Sequence, residues 1–225
     1  MISTVSGILP MAIGVAISPV PIIAVILMLF SKKAKSNSLL FLLGWIVGLM
    51  LSGGIILILG NSLDIATNKE TSTGALLVKL LLGVLLLFLA IKQWKSRPKE
   101  GKDLAMPKWM KSIDSFSSTK AFGLAFLLSA VNPKNLALTL AAAFAIAQSG
   151  LTTSSQTIVL AIFIVLASIT VGIPVLINLV AGSRVENMLT TWKAWLTHNN
   201  ATVMFILLLI FGISLVSQSV QALTR

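Results

Sequence analysis

The sequence predicts an all-α integral membrane protein: six transmembrane helices forming two inverted three-helix repeats, each with a broken first helix. Three observations carry this expectation. Hydrophobic residues make up 56% of the chain and charged residues only 10%. Several apolar runs exceed the ~20 residues that an α-helix needs to cross the hydrocarbon of a bilayer. Two of those runs are interrupted near mid-length by polar, proline-containing steps, Ile17-Ser18-Pro19-Val20-Pro21 and Val131-Asn132-Pro133-Lys134-Asn135. A single transmembrane domain fills residues 1–225, with repeat one at about 1–95, a basic loop at about 96–117 and repeat two at about 118–225.

The first span runs from about Val5 to Phe30. It lacks a positive leader and is longer than the apolar core of a signal peptide, so it reads as a retained span. A basic turn with Lys32, Lys33 and Lys35 leads to the second span, about Ser38 to Leu59, which contains Gly53-Gly54. A polar loop, Asn61 to Thr73, precedes the third span, about Gly74 to Ile91. Lys79 lies about one turn inside that span and can snorkel to the interface. The longest loop, Lys92 to Lys120, holds eight lysines and arginines. Within it Met106, Trp109, Met110, Ile113 and Phe116 recur at helical spacing, the pattern of a short interfacial helix. The fourth span, Ala121 to Gln148, carries the second interruption. The fifth, about Gln156 to Val180, contains Gly172-Ile173-Pro174. Val185, Met188, Leu189, Trp192, Trp195 and Leu196 form a second amphipathic stripe, expected to lie along the membrane surface. The sixth span runs from about Ala201 to Val220.

Charge sets the orientation. The first, third and fifth connections hold nearly all the lysines and arginines, whereas the opposite side has only Lys69 and Arg225. The positive-inside bias places those connections in the cytoplasm and both termini outside. In this context a net charge of +11 reads as topology signal and lipid-headgroup contact, with no nucleic-acid partner expected. The chain has no cysteine and one histidine, His198, so neither thiol chemistry nor a metal site is expected, and no cofactor.

The two halves match in layout. Pro19 lies 13 residues after Ser6, and Pro133 lies 13 after Lys120. The second span of each half has a glycine-containing step, Gly53-Gly54 and Gly172 with Pro174, read as helix breaks with a gating role. Three spans per half is odd, so the second copy is upside down. Inverted repeats with discontinuous helices point to a transporter's midplane site.

The breaks share one local logic. Ser18 and Asn132 suit the N-cap, and Pro19 and Pro133 suit the first helical position. The restarted half-helices would aim positive N-terminal dipoles at the bilayer middle. Lys134, about 21 Å from Lys120 along an ideal helix, adds a charge that cannot readily reach either interface. Such a constellation suits an anionic group, with Ser18, Ser129, Asn132 and Asn135 adding neutral hydrogen bonds and Pro19, Pro21 and Pro133 shaping the backbone. Alternatively, Lys134 bonds carbonyls of the first span and the half-helices satisfy one another. All six acids (Asp64, Glu70, Glu100, Asp103, Asp114, Glu186) fall in loops or at span edges, so an acidic proton or sodium relay at mid-span is not expected. Nothing resembles a catalytic constellation, and an enzyme is not expected.

With these residues in view, the chain resembles the lysine-exporter superfamily of six-span transporters, through Pro19-Val20-Pro21 and Asn132-Pro133-Lys134. It is more closely similar to the Sap/GAP family of actinobacterial membrane proteins. That similarity rests on Ser18-Pro19-Val20-Pro21 with the apolar run to Phe30-Ser31, on Phe41 to Trp45 (Phe-Leu-Leu-Gly-Trp), and on Val131 to Asn135 (Val-Asn-Pro-Lys-Asn). The resemblance covers nearly the whole chain. It implies a bacterial plasma-membrane protein that moves or displays glycolipids at the cell envelope. Val20 stands where the amino-acid exporters usually have glycine.

The expected function is therefore export or flipping of an anionic amphiphile, such as a (glyco)lipid or its precursor, by alternating access around a midplane site. Membrane lipids are the expected partners, with a homodimer as a further possibility. Two rivals stand beside this reading: a small-solute, amino-acid-like exporter, and a non-transporting accessory of a lipid-export machinery. A lipid-open groove between spans favours the first, a closed wet cavity the second, and a self-packed interior around Lys134 the third.

The orientation has a direct test. A cysteine introduced at Asn68 is expected to react with an impermeant thiol reagent in intact cells, and one at Gly101 is not. The reverse labelling pattern would overturn the topology.

Overall fold

The computed structural model describes residues 1–62, 73–95, 113, 116–181 and 185–224. Among these, all regular structure is helical. The helices are α1 (Ile2–Ala16), α2 (Pro19–Leu29), α3 (Ala34–Ser62), α4 (Thr73–Lys95), α5 (Ser118–Phe126), α6 (Pro133–Ala147), α7 (Thr153–Ala181) and α8 (Glu186–Leu223). A π-helical turn, Leu127–Val131, joins α5 to the second break. α3, α4, α7 and α8 are each long and apolar enough to cross a membrane. The pairs α1–α2 and α5–α6 meet the same standard together, bent by 54° and 60°, so six spans result if each bent pair is one span.

The bends fall where the covalent chemistry requires them. A residue before proline is driven out of the helical region, and Ser18 (φ −115°, ψ 99°) and Asn132 (φ −59°, ψ 120°) obey this. Pro19 and Pro133 then occupy the first helical positions, where a missing N–H costs nothing. Asn132 is a full N-cap, its side-chain oxygen accepting from the Lys134 backbone N–H at 3.1 Å. Ser18 holds the N-cap position without a side-chain cap bond, because its hydroxyl is engaged elsewhere.

α4 and α8 pack along each other's length, α3 packs against α5, and α1 packs against α6 and α7. Close approach of α3 to α5 depends on Gly44 and Gly48, one turn apart. A Cβ at Gly44 would collide with the Phe122 carbonyl oxygen, and one at Gly48 with the Ser129 hydroxyl. Lipid gives apolar helices little reason to associate, so small residues that let backbones touch carry much of the packing.

Three expectations are corrected. First, α3 passes unbroken through Gly53-Gly54, and α7 through Gly172 and Pro174. A glycine costs a helix about 1 kcal/mol, whereas opening the backbone within hydrocarbon leaves groups unsatisfied at several kcal/mol each. Gly53 instead makes room for Leu160 of α7, and Gly54 faces open space. Second, the Val185–Leu196 stripe is not a separate surface helix. It begins α8, a single helix of 38 residues, about 57 Å long at the α-helical rise. No breaker separates it from the last span: Thr197 and Asn199 turn their side chains onto the carbonyls of Lys193 (2.7 Å) and Trp195 (2.9 Å), so the polar run stays helical. Its amphipathic character persists, with Leu189 buried and Trp192 and Trp195 exposed. Third, α3 and α4 begin or end several residues beyond the expected spans.

Of the other stripe, only Ile113 and Phe116 fall within the described residues. Ile113 is buried in the core, and the Phe116 carbonyl accepts from Asn37 Nδ2 at 3.1 Å. The rest of that stripe lies outside the described residues, as do residues 63–72 of the expected Asn61–Thr73 loop, whose ends belong to α3 and α4.

The packing predicts a contrast between two glycines of α3. Gly44→Ala should lower the melting temperature in detergent by the equivalent of about 1–3 kcal/mol of overpacking. Gly54→Ala should leave it unchanged or raise it, gaining up to about 1 kcal/mol of helix propensity. Equal effects would refute the contact assigned to Gly44.

Candidate functional site

The site begins with a backbone problem. α1 ends at Ala16 inside the bundle, and the last turn of any helix leaves carbonyls without intrahelical donors. Each one here has a partner. The Ile13 oxygen accepts from Ile17 N (2.8 Å) and the Val15 oxygen from Ser18 Oγ (2.6 Å). The Ala16 oxygen accepts from Ser18 N (2.8 Å) and from Thr170 Oγ1 of α7 (2.5 Å). The Gly14 and Ile17 oxygens accept from the ammonium of Lys134, at 2.5 and 3.2 Å.

Lys134 reaches across from the second residue of α6 and is 2% exposed. Its third hydrogen bond goes to Ser18 Oγ at 2.7 Å. Three ammonium protons thus meet three acceptors, two of them at the negative end of a helix dipole. A lysine at the bilayer centre costs about 2.5–3.5 kcal/mol on insertion scales. Each hydrogen bond from a charged group contributes about 1.5–3 kcal/mol, so three outweigh that cost without a carboxylate.

Asn135, the next residue, does for the second break what Lys134 does for the first. It is fully buried. Its amide nitrogen donates to the Leu128 oxygen in the π-turn at 2.9 Å, which turns its Oδ1 toward Ser18 Oγ, also at 2.9 Å. The single hydroxyl proton of Ser18 is therefore shared between Asn135 Oδ1 and the Val15 carbonyl while its oxygen accepts from Lys134. Ser18, Lys134 and Asn135 form one clasp that joins both helix breaks.

The remaining expected residues divide. Asn132 caps α6 from the side, and Pro133 is exposed. Pro19 and Pro21 are buried at the start of α2. They lack N–H groups, so only Val20 among the first three residues of that half-helix offers a backbone donor. Ser129 does not join the clasp; it donates to the Phe126 carbonyl at 3.1 Å and packs against Gly48. The ammonium expected to receive an anion is saturated by protein acceptors here, so an anion must displace at least one of them. Among the described residues no three His, Cys, Asp or Glu side chains converge, so none offers a metal-ligand set.

Three participants escaped the sequence reading. Thr170 clamps the first break from α7. Thr139 on α6 and Ser168 on α7 are buried with hydroxyls that have no hydrogen-bond partner. Their only signal is a hydroxyl in an apolar span, which is common.

Two apolar grooves flank α7. One, about 430 Å³, lies between Ile22 of α2, the Thr170–Pro174 stretch of α7 and the start of α8. The other, about 470 Å³, lies between Met50–Ile58 of α3 and Thr153–Val165 of α7. They share no residue, lie toward opposite ends of α7, and neither is lined by Lys134.

The clasp predicts a coupled loss of stability. Lys134→Met leaves the Gly14 and Ile17 carbonyls without donors, at about 1–3 kcal/mol each, and should lower the melting temperature. Ser18→Ala should cost less. Because both act in one network, the double variant should depart from additivity by about 0.5–3 kcal/mol; strict additivity would dissolve the clasp.

No curated protein and no solved structure matches the chain. A family model described as Sap, sulfolipid-1-addressing protein, matches residues 8–221. That match contains both breaks, all three members of the clasp and both grooves, and the chain belongs to the Sap, sulfolipid-1-addressing protein family.

Proposed function

We propose that this protein carries an anionic amphiphile, a (glyco)lipid or lipid precursor, across the bilayer, and that the Lys134 clasp is its gate. The observation that carries the reading is the ammonium of Lys134 holding two discontinuous helices together in a bundle whose α7 is flanked by two apolar grooves. The family's description, a sulfolipid-addressing protein, supports a lipid cargo with an anionic headgroup.

The gate works by competition. A sulfate, phosphate or carboxylate is a stronger acceptor than a peptide carbonyl, so a headgroup at the clasp exchanges for Gly14 or Ile17 as a partner of Lys134. That exchange uncouples α1 from α6. The unpartnered hydroxyls of Thr139 and Ser168 then offer polar contacts for a headgroup moving through an apolar bundle. The apolar tail stays outside, along grooves that face lipid.

Alternating access would come from two inverted halves rocking about the clasp. Both breaks sit at a residue–proline step with similar bends. The contacts also exchange as an inverted pair would: the second span packs on the fourth, the fifth packs on the first, and the third and sixth pack on each other. On this reading the protein sits in a bacterial plasma membrane with both termini outside, which the bias of lysines and arginines to one side supports. Kinship with the lysine exporters rests on the same two motifs. The almost wholly apolar lining of the grooves favours a hydrocarbon chain over an amino acid. The saturation of Lys134 favours one other reading, a lipid-export accessory that moves nothing itself.

Liposomes with a fluorescent anionic lipid and an impermeant quencher separate these readings. The wild-type protein is expected to speed exchange between leaflets, and Lys134→Met to slow it at least tenfold, with melting temperatures followed in parallel. Lys134→Arg should fall between, because the planar guanidinium fits different acceptor geometry. A Lys134→Met protein that flips at the wild-type rate would end the gate. A wild-type protein that flips nothing would leave the accessory role.

A further inference from the structure

The groove beside α2 is walled in part by a helix that runs from the first break to a turn of lysines. At its inner end, Thr170 is bonded to the Ala16 carbonyl, one residue before Ile17 and two after Gly14, whose carbonyls hold Lys134. Its wall is Ile22, Ile173 and Pro174, and its mouth is the Trp192–Trp195 pair at the start of α8. Both tryptophans are substantially exposed, at 42% and 58%. Between them in sequence, Lys193 places its ammonium 5.5 Å from the centroid of the Phe30 ring, at the end of α2. Phe30 leads directly into the turn bearing Lys32, Lys33 and Lys35, all exposed. The only acid among the described residues is Glu186, seven residues before Lys193.

We infer that this groove is a binding site for one acyl chain of a phosphate- or sulfate-headed lipid drawn from the leaflet at the Lys32–Lys35 end. The headgroup rests on Lys193 and the turn lysines. The volume, about 430 Å³, is within the ~300–1,000 Å³ of ordinary ligand pockets. The lining supplies almost no polar group, so it suits a hydrocarbon and not a solute. Tryptophans favour the headgroup level, where one side of the ring is wet. Charge selects the occupant: a zwitterionic lipid would fit the groove equally well but gains little from four lysines. The inner end adjoins the clasp, so a headgroup that leaves the turn lysines next meets Ser18 and Lys134. The site deepens the transport reading by naming where cargo is taken up, and it rests on that reading only for this last step.

The test uses the two mouth tryptophans as reporters. Trp45, Trp94 and Trp109 are changed to Phe, and the full chain is reconstituted in phosphatidylcholine vesicles. A minor fraction of acyl-brominated phosphatidylglycerol or of acyl-brominated phosphatidylcholine is included. The brominated anionic lipid is expected to quench at lower mole fraction. Lys193→Gln should cut that preference about fivefold, the worth of one lysine near an anionic lipid. Ile22→Phe with Ile173→Phe, which fills the groove, should weaken quenching by both lipids. Phosphate content of the unmodified chain purified in detergent, with and without Lys193→Gln, gives a second readout if the tryptophan variants do not fold. Equal quenching by the two lipids would overturn the headgroup assignment, and quenching unchanged by the filled groove would overturn the site. Preferential quenching in a protein that flips nothing would keep the site and remove transport. Flipping without preferential quenching would do the reverse.

Discussion

The hydrogen bonds from Lys134 to the end of α1 are the constraint on which the rest of the bundle depends. A helix cannot stop inside hydrocarbon unless its last carbonyls find donors, because no water is there to supply them. The carbonyls of Gly14, in the last turn of α1, and of Ile17, just past its end, receive those donors from one ammonium. With them satisfied, the chain can bend at Ser18-Pro19, and α2 can leave at 54° to α1. That bend opens the angle in which the groove beside α7 lies.

The clasp is also asymmetric in sign. α1 brings carbonyls to the first break, while Pro19 and Pro21 strip α2 of most of its opening donors. The first break is therefore an acceptor-rich place, and its natural complement is a cation. At the second break the π-turn carbonyl of Leu128 meets a neutral amide instead. The two breaks resemble each other in backbone but not in polarity, so inverted halves built on them would not be interchangeable. An anion that approaches the first break meets the Gly14 and Ile17 carbonyl oxygens beside the ammonium of Lys134.

Much of this was legible in the sequence, and the parts that were not share a cause. The spans, the bends and the membership of Ser18, Lys134 and Asn135 follow from local chemistry: apolar length, proline's missing N–H and the cost of charge in lipid. The partners of Lys134 were open because two of them are backbone oxygens, which every residue has; only packing decides which lie within reach. Gly53-Gly54 and Gly172 with Pro174 misled because glycine and proline mark breaks in water more reliably than in lipid, where an open backbone is the costlier choice. The continuity of α8 was hidden by Thr197-His198-Asn199-Asn200, a run that looks like a loop until its side chains fold back on the preceding turn. The Gly44–Gly48 contact was written in the sequence as a small-xxx-small spacing, yet its partner on α5 was not.

The distance along the chain between the clasp's members has a consequence for how the protein is made. Lys134 lies 120 residues after Gly14 and 116 after Ser18. At ordinary synthesis rates, about 5–20 residues per second, the end of α1 emerges roughly ten seconds before the lysine that caps it. During that interval two of its carbonyls lack their final partner, so the first half-helix has no stable resting place deep in hydrocarbon. Its native depth is reached only after the fourth span arrives. Residues 2–16 are thus made well before the side chain that caps them, and the arrival of Lys134 is what lets their helix end deep in hydrocarbon.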